Sequence, residues 1–292
     1  MLVVRSFLFS FSILWRLCLV APFLVVIFAI IGFIAALFLS VIALISPLIG
    51  GLIVISAGFA ISSIFPIMLG ARLGFQAMRV DAFHGYGKMF LFAMIYGFVE
   101  ALAAGIIGGV AAVCITFFVG GFDMTMQGSA GLTFIIVTYV LIAGLRSVML
   151  VPIAGAALGR DANGQLHTPF YGVGARGMAL WVITICAMLL GLLGMAVFAY
   201  LSLSANTALA NNLASWDPSD MVPTTFSWEA VAFIVGIYVI SLWVFSWQAA
   251  AGVLVYLDQR DAFNERNTPK HSEEDRAAAR DLWRQRMPPG GH

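Results

Sequence analysis

The chain has 292 residues, of which 62% are hydrophobic and only 10% are charged, and its formal net charge is +1. An average soluble domain carries about 25% charged residues, so a soluble protein of this size could not cover so much apolar surface. The near-neutral balance also excludes the basic field of a nucleic-acid-binding protein. The composition therefore predicts an integral membrane protein, and its expected partners include the lipid bilayer.

Six apolar runs are each long enough to cross the hydrocarbon core as a helix, which needs about 20 residues. The sequence thus predicts an all-α polytopic protein with spans at residues 17–45, 49–70, 89–119, 132–158, 178–203 and 230–257. The remaining residues, 258–292, form a polar tail. Within it, an acidic start and a basic end predict a short helix near residues 272–287.

The connections between these spans alternate in charge. Lys and Arg precede the first span and follow the second, fourth and sixth, whereas the connections near Pro47, at 120–131 and at 204–227 contain neither. By the positive-inside rule, both termini are expected in the cytoplasm. No cleavage site closes a short apolar segment near the N-terminus, so the first span is expected to stay as an anchor in the inner (plasma) membrane.

The ends of the second, fourth and sixth spans share a short motif. It reads Arg-Val-Asp-Ala-Phe at 79–83, Arg-Asp-Ala at 160–162 and Arg-Asp-Ala-Phe at 260–263, and we call these three segments the exit motifs. They favour three tandem helical hairpins related by an axis along the membrane normal, since each hairpin begins and ends on the same side. The alternative is that basic helix ends resemble one another without a repeat.

Two of the connections also carry Gly-x-Gly pairs that are candidate lipid- or phosphate-binding loops, because N–H groups at a helix N-terminus bind anions. These glycines are Gly85, Gly87, Gly172 and Gly174. The pattern is shorter than a phosphate-binding fingerprint, so a flexible turn is the favoured interpretation. His84 and His167 in the same loops are expected to be solvated or interfacial.

Small residues recur every four positions along the third span, at Gly97, Ala101, Gly105 and Gly109. This spacing places them on one helix face, where another helix can approach closely. The sequence predicts a helix-packing stripe here. Its partner is either another span of this chain, which is the favoured interpretation, or a second protein.

Two full charges lie deep inside the spans. Glu100 follows Lys88 by 12 residues and Arg146 precedes Arg160 by 14, which places them ~18 and ~21 Å from those flanking charges. Consecutive antiparallel helices would hold them at similar depth. Since an isolated charge in lipid is costly, the sequence predicts an intramembrane ion pair between Glu100 and Arg146. The alternative is a proton or anion relay through Glu100.

Recognisable reactive chemistry is missing from the sequence. All four histidines lie in predicted loops or the tail, no H-E-x-x-H or Walker motif occurs, and the three cysteines show no metal-ligand spacing. We therefore expect no catalytic residue, no metal site and no cofactor, and hence a protein that is not an enzyme.

The hairpin arrangement, the charged helix exits and the segment Arg-Ser-Val-Met-Leu-Val-Pro at 146–152 together resemble a bacterial family. It comprises the stand-alone six-helix membrane proteins related to the membrane domain of glycerophosphodiester phosphodiesterases. The soluble phosphodiesterase barrel is absent from this sequence, so no catalytic residue carries over. The resemblance implies an inner-membrane protein.

The sequence leaves three functions open. The first is a non-enzymatic structural or accessory component of a bacterial membrane or secretion assembly, bound to other membrane proteins or to itself. The alternative is a small-solute or ion transporter or channel that uses Glu100 and Arg146, with Gln248 as a further polar group. The third is lipid handling through the glycine loops and their nearby basic residues.

Overall fold

A computed structural model describes residues 2–119, 129–205, 228–267 and 280. Within these ranges the chain is helical and contains no β-strand. Its helices are α1 (Leu2–Ile45), α2 (Pro47–Phe59), a π-helical turn (Ala60–Ile64), α3 (Phe65–Ala77), α4 (Tyr86–Val119), α5 (Ser129–Leu158), α6 (Gly177–Ala205) and α7 (Trp228–Asn267). The turn joins α2 directly to α3, so these three form one continuous helical segment.

The expectation of six membrane-length helices is confirmed, because six helical segments of the described chain are long and apolar enough to cross a membrane. Several helices extend beyond the predicted spans, since helix formation does not stop where apolar residues stop. α1 begins at Leu2, α3 continues to Ala77, and α7 continues to Asn267. The predicted tail helix at 272–287 lies outside the described residues, except for Arg280, which is helical.

Three helices form the centre of the bundle. α3, α5 and α7 contact one another in pairs. α1 lies against α3 and α7, α4 lies against the α2–α3 segment and α5, and α6 lies against α5 and α7. Each outer helix therefore occupies a groove between two central ones, and the central helices carry much of the buried core.

Glycines on the central helices allow their backbones to approach closely. A Cβ added at Gly252 of α7 would lie 2.8 Å from the carbonyl oxygen of Leu150 on α5. One added at Gly70 of α3 would lie 3.1 Å from the Cβ of Ala249 on α7. Close backbone packing of this kind is a main source of helix association in lipid, where burial of apolar surface gives little.

The exit motifs lie at one end of the bundle, where α3, α5 and α7 leave the core. We call this the basic end, after Arg79, Arg160 and Arg260. α3 finishes there with Arg79 in the left-handed region at φ 59°, while the N–H groups of Arg79 and Val80 donate to the carbonyls of Gln76 and Phe75. This is the hydrogen-bond pattern of a Schellman C-cap. It turns the chain sharply and keeps the loop at 78–85 against the bundle.

Candidate functional site

The structure brings Glu100 and Arg146 together. Nε of Arg146 donates to Oε1 of Glu100 at 2.9 Å, and Nη2 donates to the same oxygen. Nη2 also donates to the hydroxyl of Ser63 at 3.0 Å. Glu100 is 4% exposed and Arg146 is 8% exposed, so both charges are withdrawn from the surface of the bundle. The pair links α4, α5 and the π-helical turn.

The π-helical turn places Ser63 within reach of Arg146. A π turn inserts one residue into a helix and shifts the following side chains around its axis. α4 packs tightly on this turn at Gly97, where an added Cβ would lie 2.7 Å from both the nitrogen and the Cβ of Ala60. Gly97 therefore sets the close approach that holds Glu100, one turn further along α4, beside the guanidinium.

A small cavity adjoins the ion pair. Its volume is about 10 Å³, and it is lined by Ile64, Tyr96, Val99, Glu100, Leu145, Arg146, Met149 and Ile153. That volume holds roughly one water molecule. Oε2 of Glu100 is buried and has no hydrogen-bond partner among the described residues. One water in the cavity would satisfy this oxygen, and a volume of about 10 Å³ leaves no room for a larger solute beside it.

The four small residues of the predicted packing stripe divide into two pairs. Gly97 lies against the π-helical turn, and Ala101 is buried. At Gly105 and Gly109, an added Cβ would meet no described atom within 4 Å, and both glycines are exposed. The first half of the stripe is thus an internal contact, while the second half leaves an open strip on α4 in the described part of the chain.

The two Gly-x-Gly loops differ in conformation. Gly172 and Gly174 have positive φ values of 82° and 77°, whereas Gly85 and Gly87 do not. The N–H of Gly174 donates to the carbonyl of Val148 at 3.2 Å. The second pair therefore turns its loop tightly against α5, and the Gly174 N–H already has a partner within the protein.

The expectation that His167 is solvated or interfacial is wrong, because its loop folds back into the bundle. The residue is only 7% exposed. Its Nδ1 lies 2.8 Å from Oδ1 of Asp161, and its Nε2 lies 2.9 Å from the hydroxyl of Tyr96 on α4. Gly155 makes room for the ring, since a Cβ there would lie 2.8 Å from Nδ1. His84, by contrast, is half-buried and packs on Gly159.

Asp161, His167 and Tyr96 form a hydrogen-bonded chain between the basic end and α4. Thr168 donates both its N–H and its hydroxyl to the carboxylate of Asp161. The Tyr96 hydroxyl lies 2.6 Å from the carbonyl oxygen of Pro169, so its single proton has two close acceptors. Burial lowers the pKa of His167, and the hydrogen bond to Asp161 opposes that shift. Neutral His167 then donates from Nδ1 to Asp161 and accepts at Nε2.

The hydrogen bonds that link Asp161, His167 and Tyr96 could not be predicted from the sequence. Asp161 and His167 lie in a polar loop whose composition looks solvent-exposed. Gly155 and Gly159 at the end of α5 are visible in the sequence, but only the structure shows that each leaves space for a histidine ring.

The exit motifs meet at an open cleft on the basic end, with a volume of about 370 Å³. The cleft is lined by Val80, Asp81, Ala82, Phe83, Leu158, Arg160, Asp161, Gly164, Tyr256 and Arg260. The Arg160 guanidinium carbon lies 4.6 Å from the centre of the Phe83 ring. Nearby, the Tyr256 hydroxyl donates to the Arg160 carbonyl at 2.6 Å, which ties α7 to the end of α5.

Comparisons with protein families, with curated proteins and with solved structures find no match for this chain. The resemblance to the membrane domain of glycerophosphodiester phosphodiesterases therefore stays a prediction. Among the described residues, no group of three His, Cys, Asp or Glu side chains is placed to hold a metal ion.

Proposed function

We propose that the protein is a non-enzymatic, multi-pass component of the bacterial inner membrane, with a structural or accessory role in a larger membrane assembly. The observation that carries this proposal is the state of Glu100 and Arg146. Their charges neutralise each other, Ser63 holds the guanidinium from a third segment, and the adjoining cavity has room for about one water. Such an arrangement favours a fixed structural link over a path for a solute.

The proposal includes an orientation and a repeat. With the basic end in the cytoplasm, both termini lie on that side, as the positive-inside rule requires. The alternation of central and outer helices supports three tandem hairpins about one axis, because each outer helix contacts the central helix that follows it and a central helix of another hairpin. The exit motifs then occupy equivalent positions in the three hairpins.

The open strip at Gly105 and Gly109 supports a partner within the membrane. Small residues that no described atom covers allow a helix of another protein, or of a second copy, to approach α4 closely. Gly97 and Ala101 are not available for this role, because they are already packed.

The test is purification from native membranes in mild detergent, with mass spectrometry of proteins that co-elute in stoichiometric amounts. Wild type is expected to retain a defined set of membrane proteins, or a second copy. Gly105→Leu should lose them while keeping its thermal stability. The matched control is Leu102→Ile, on a lipid-exposed position of the same helix, which should retain them. A wild-type monomer without partners contradicts the proposal.

A second candidate function is small-solute or ion transport through the bundle. One observation favours it: the side-chain amide of Gln248 on α7 is fully buried, and neither of its polar atoms has a partner among the described residues. An unpaired amide at membrane depth is costly and often marks a polar path. Flux of protons or small anions into vesicles containing the purified protein, abolished by Glu100→Gln in a folded variant, would support transport over the accessory role.

A further inference from the structure

The exit motifs are the strongest sequence feature that the accessory role leaves unexplained. Asp81 comes from the first motif, Arg160 and Asp161 from the second, and Arg260 from the third, and all four line the cleft at the basic end. A short motif that recurs in three distant segments has thus been brought to a single concave surface. The central packing of α3, α5 and α7 accounts for this convergence.

The charged side chains that line the cleft differ in the hydrogen bonds and ion pairs that they already make. Asp161 is buried and accepts hydrogen bonds from His167 and Thr168, so its carboxylate oxygens are already engaged inside the protein. Arg160 has no ion pair within the described part of the chain. Nε of Arg260 forms a long ion pair with Oδ1 of the exposed Asp261 at 3.6 Å, and it is buried without a hydrogen-bond partner in the same residues. The guanidinium of Arg160 is therefore available to an anion, and the guanidinium of Arg260 has one long ion pair in these residues that an anion can displace.

The remaining walls suit a ligand that is only partly polar. Phe83 and Tyr256 contribute aromatic rings, while Val80 and Leu158 contribute aliphatic surface. The volume of about 370 Å³ falls in the range of small-molecule sites, roughly 300–1,000 Å³. Guanidinium groups bind phosphate through paired N–H donors, with a geometry that lysine does not reproduce.

We propose that this cleft binds a phosphate group of a small organic ligand, with Arg160 and Arg260 as its cationic partners. The site is separate from the glycine loops considered from the sequence, and the inference does not depend on the accessory role. Its ligand is either the headgroup of a phospholipid or a soluble phosphate ester, since both present the same oxygens. Asp81 lies on the wall of the cleft as an exposed, opposing charge, which weakens the binding of inorganic phosphate.

The test uses the full-length protein in nanodiscs, with two kinds of probe. Inorganic phosphate and phosphoethanolamine are titrated by calorimetry to detect a soluble source. For a lipid source, phosphatidylglycerol and phosphatidylethanolamine are added back to delipidated protein, with diacylglycerol as the phosphate-free control, and retention is measured by native mass spectrometry. Binding in at least one arm is expected.

Variants assign that binding to the cleft. Arg160→Gln and Arg260→Gln should each weaken it about tenfold or more, because each removes a charge-assisted contact, and the double variant should abolish it. Asp81→Asn should strengthen the binding of inorganic phosphate. The matched control is Arg266→Gln, an exposed arginine of α7 outside the cleft, which should leave binding unchanged. No binding in either arm, or equal binding by the double variant, overturns the proposal.

A measurement on wild-type protein covers the case in which the arginine variants fail to fold. Phenylglyoxal modifies accessible arginines, and mass spectrometry locates the modified residues. Phosphate or phospholipid should protect Arg160 and Arg260 while leaving Arg266 reactive. Equal modification of all three with and without ligand overturns the proposal independently of any substitution.

Discussion

Breaking the ion pair from one side should destabilise the protein strongly. In Glu100→Leu, the Arg146 guanidinium loses two of its hydrogen bonds and its only described counter-charge, and it keeps the Ser63 hydroxyl. The adjoining cavity of about 10 Å³ admits roughly one water, so the guanidinium cannot be rehydrated. An uncompensated buried charge of this kind lowers the free energy of unfolding by about 3–5 kcal/mol.

Removing both charges should be far less damaging. Glu100→Leu with Arg146→Met replaces the pair by apolar groups of similar volume, and such replacements are often neutral. We expect the double variant to lie within about 1–2 kcal/mol of wild type, much closer than either single variant. The difference between the singles and the double isolates the buried unpaired charge as the source of the instability.

The assay is equilibrium unfolding in mixed detergent micelles, followed by tryptophan fluorescence. Glu265→Leu, at an exposed position near the end of α7, is the control and should change the unfolding free energy by less than about 0.5 kcal/mol. Two results would refute the reasoning: a Glu100→Leu variant as stable as wild type, or a double variant as unstable as the singles. The second result would mean that the pair itself, and not the avoidance of an unpaired charge, provides the stability.

Three further predictions follow from local geometry. Gly97→Ala should lower the thermal midpoint of unfolding, because the new Cβ would lie 2.7 Å from backbone and side-chain atoms of Ala60. Gly105→Ala is the control and should be tolerated, because its Cβ would meet no described atom within 4 Å. Equal midpoints for the two variants would contradict the close packing at Gly97. Gly172→Ala should destabilise the loop at 159–176, since φ at this residue is +82° and the new Cβ would lie 2.8 Å from Val151. Limited proteolysis should cut this loop faster in Gly172→Ala than in the control variant Gly85→Ala. Burial lowers the pKa of His167 below the ordinary value near 6.5 that it has in the unfolded chain, so the unfolded chain binds a proton first as the pH falls. The contribution of the neutral ring to the free energy of unfolding is therefore fully present above about pH 6.5 and decreases below it. His167→Asn should flatten the dependence of the unfolding free energy on pH below about 6.5. His84→Asn is measured beside it, because burial and Lys88 lower the pKa of His84 as well. An unchanged pH dependence in His167→Asn would show that the folded protein does not resist protonation of this ring.

The ion pair could be anticipated because its prediction needs only one-dimensional information. Charge is rare in the spans, so Glu100 and Arg146 stand out, and the rise per residue gives their depth. Ser63 could not be anticipated in the same way. It reaches Arg146 through a π turn, whose extra residue shifts the helical phase, and no composition signal marks such an insertion.

The exit motifs show a different limit of sequence reasoning. Their recurrence is visible in the chain, but their convergence on one cleft depends on which helices lie at the centre of the bundle. The burial of His167 could not be predicted from the sequence either. Its loop has the polar, glycine-containing composition of a solvated connection, yet it is held inside the bundle by Tyr96 and Asp161. Tertiary contacts decided both cases.

Asp161 belongs both to the buried hydrogen-bond network with His167 and Tyr96 and to the lining of the cleft. Its carboxylate lines the cleft but is turned to the interior by His167 and by the two donors of Thr168. While these three donors hold it, its oxygens are engaged inside the protein, and the other charged groups that line the cleft are Arg160, Arg260 and Asp81. Without the imidazole, the carboxylate would lose one of its donors, and an oxygen freed in this way could turn toward the cleft and repel an anion there. If the cleft binds phosphate as we propose, the buried histidine contributes to that binding by keeping the Asp161 carboxylate turned inward.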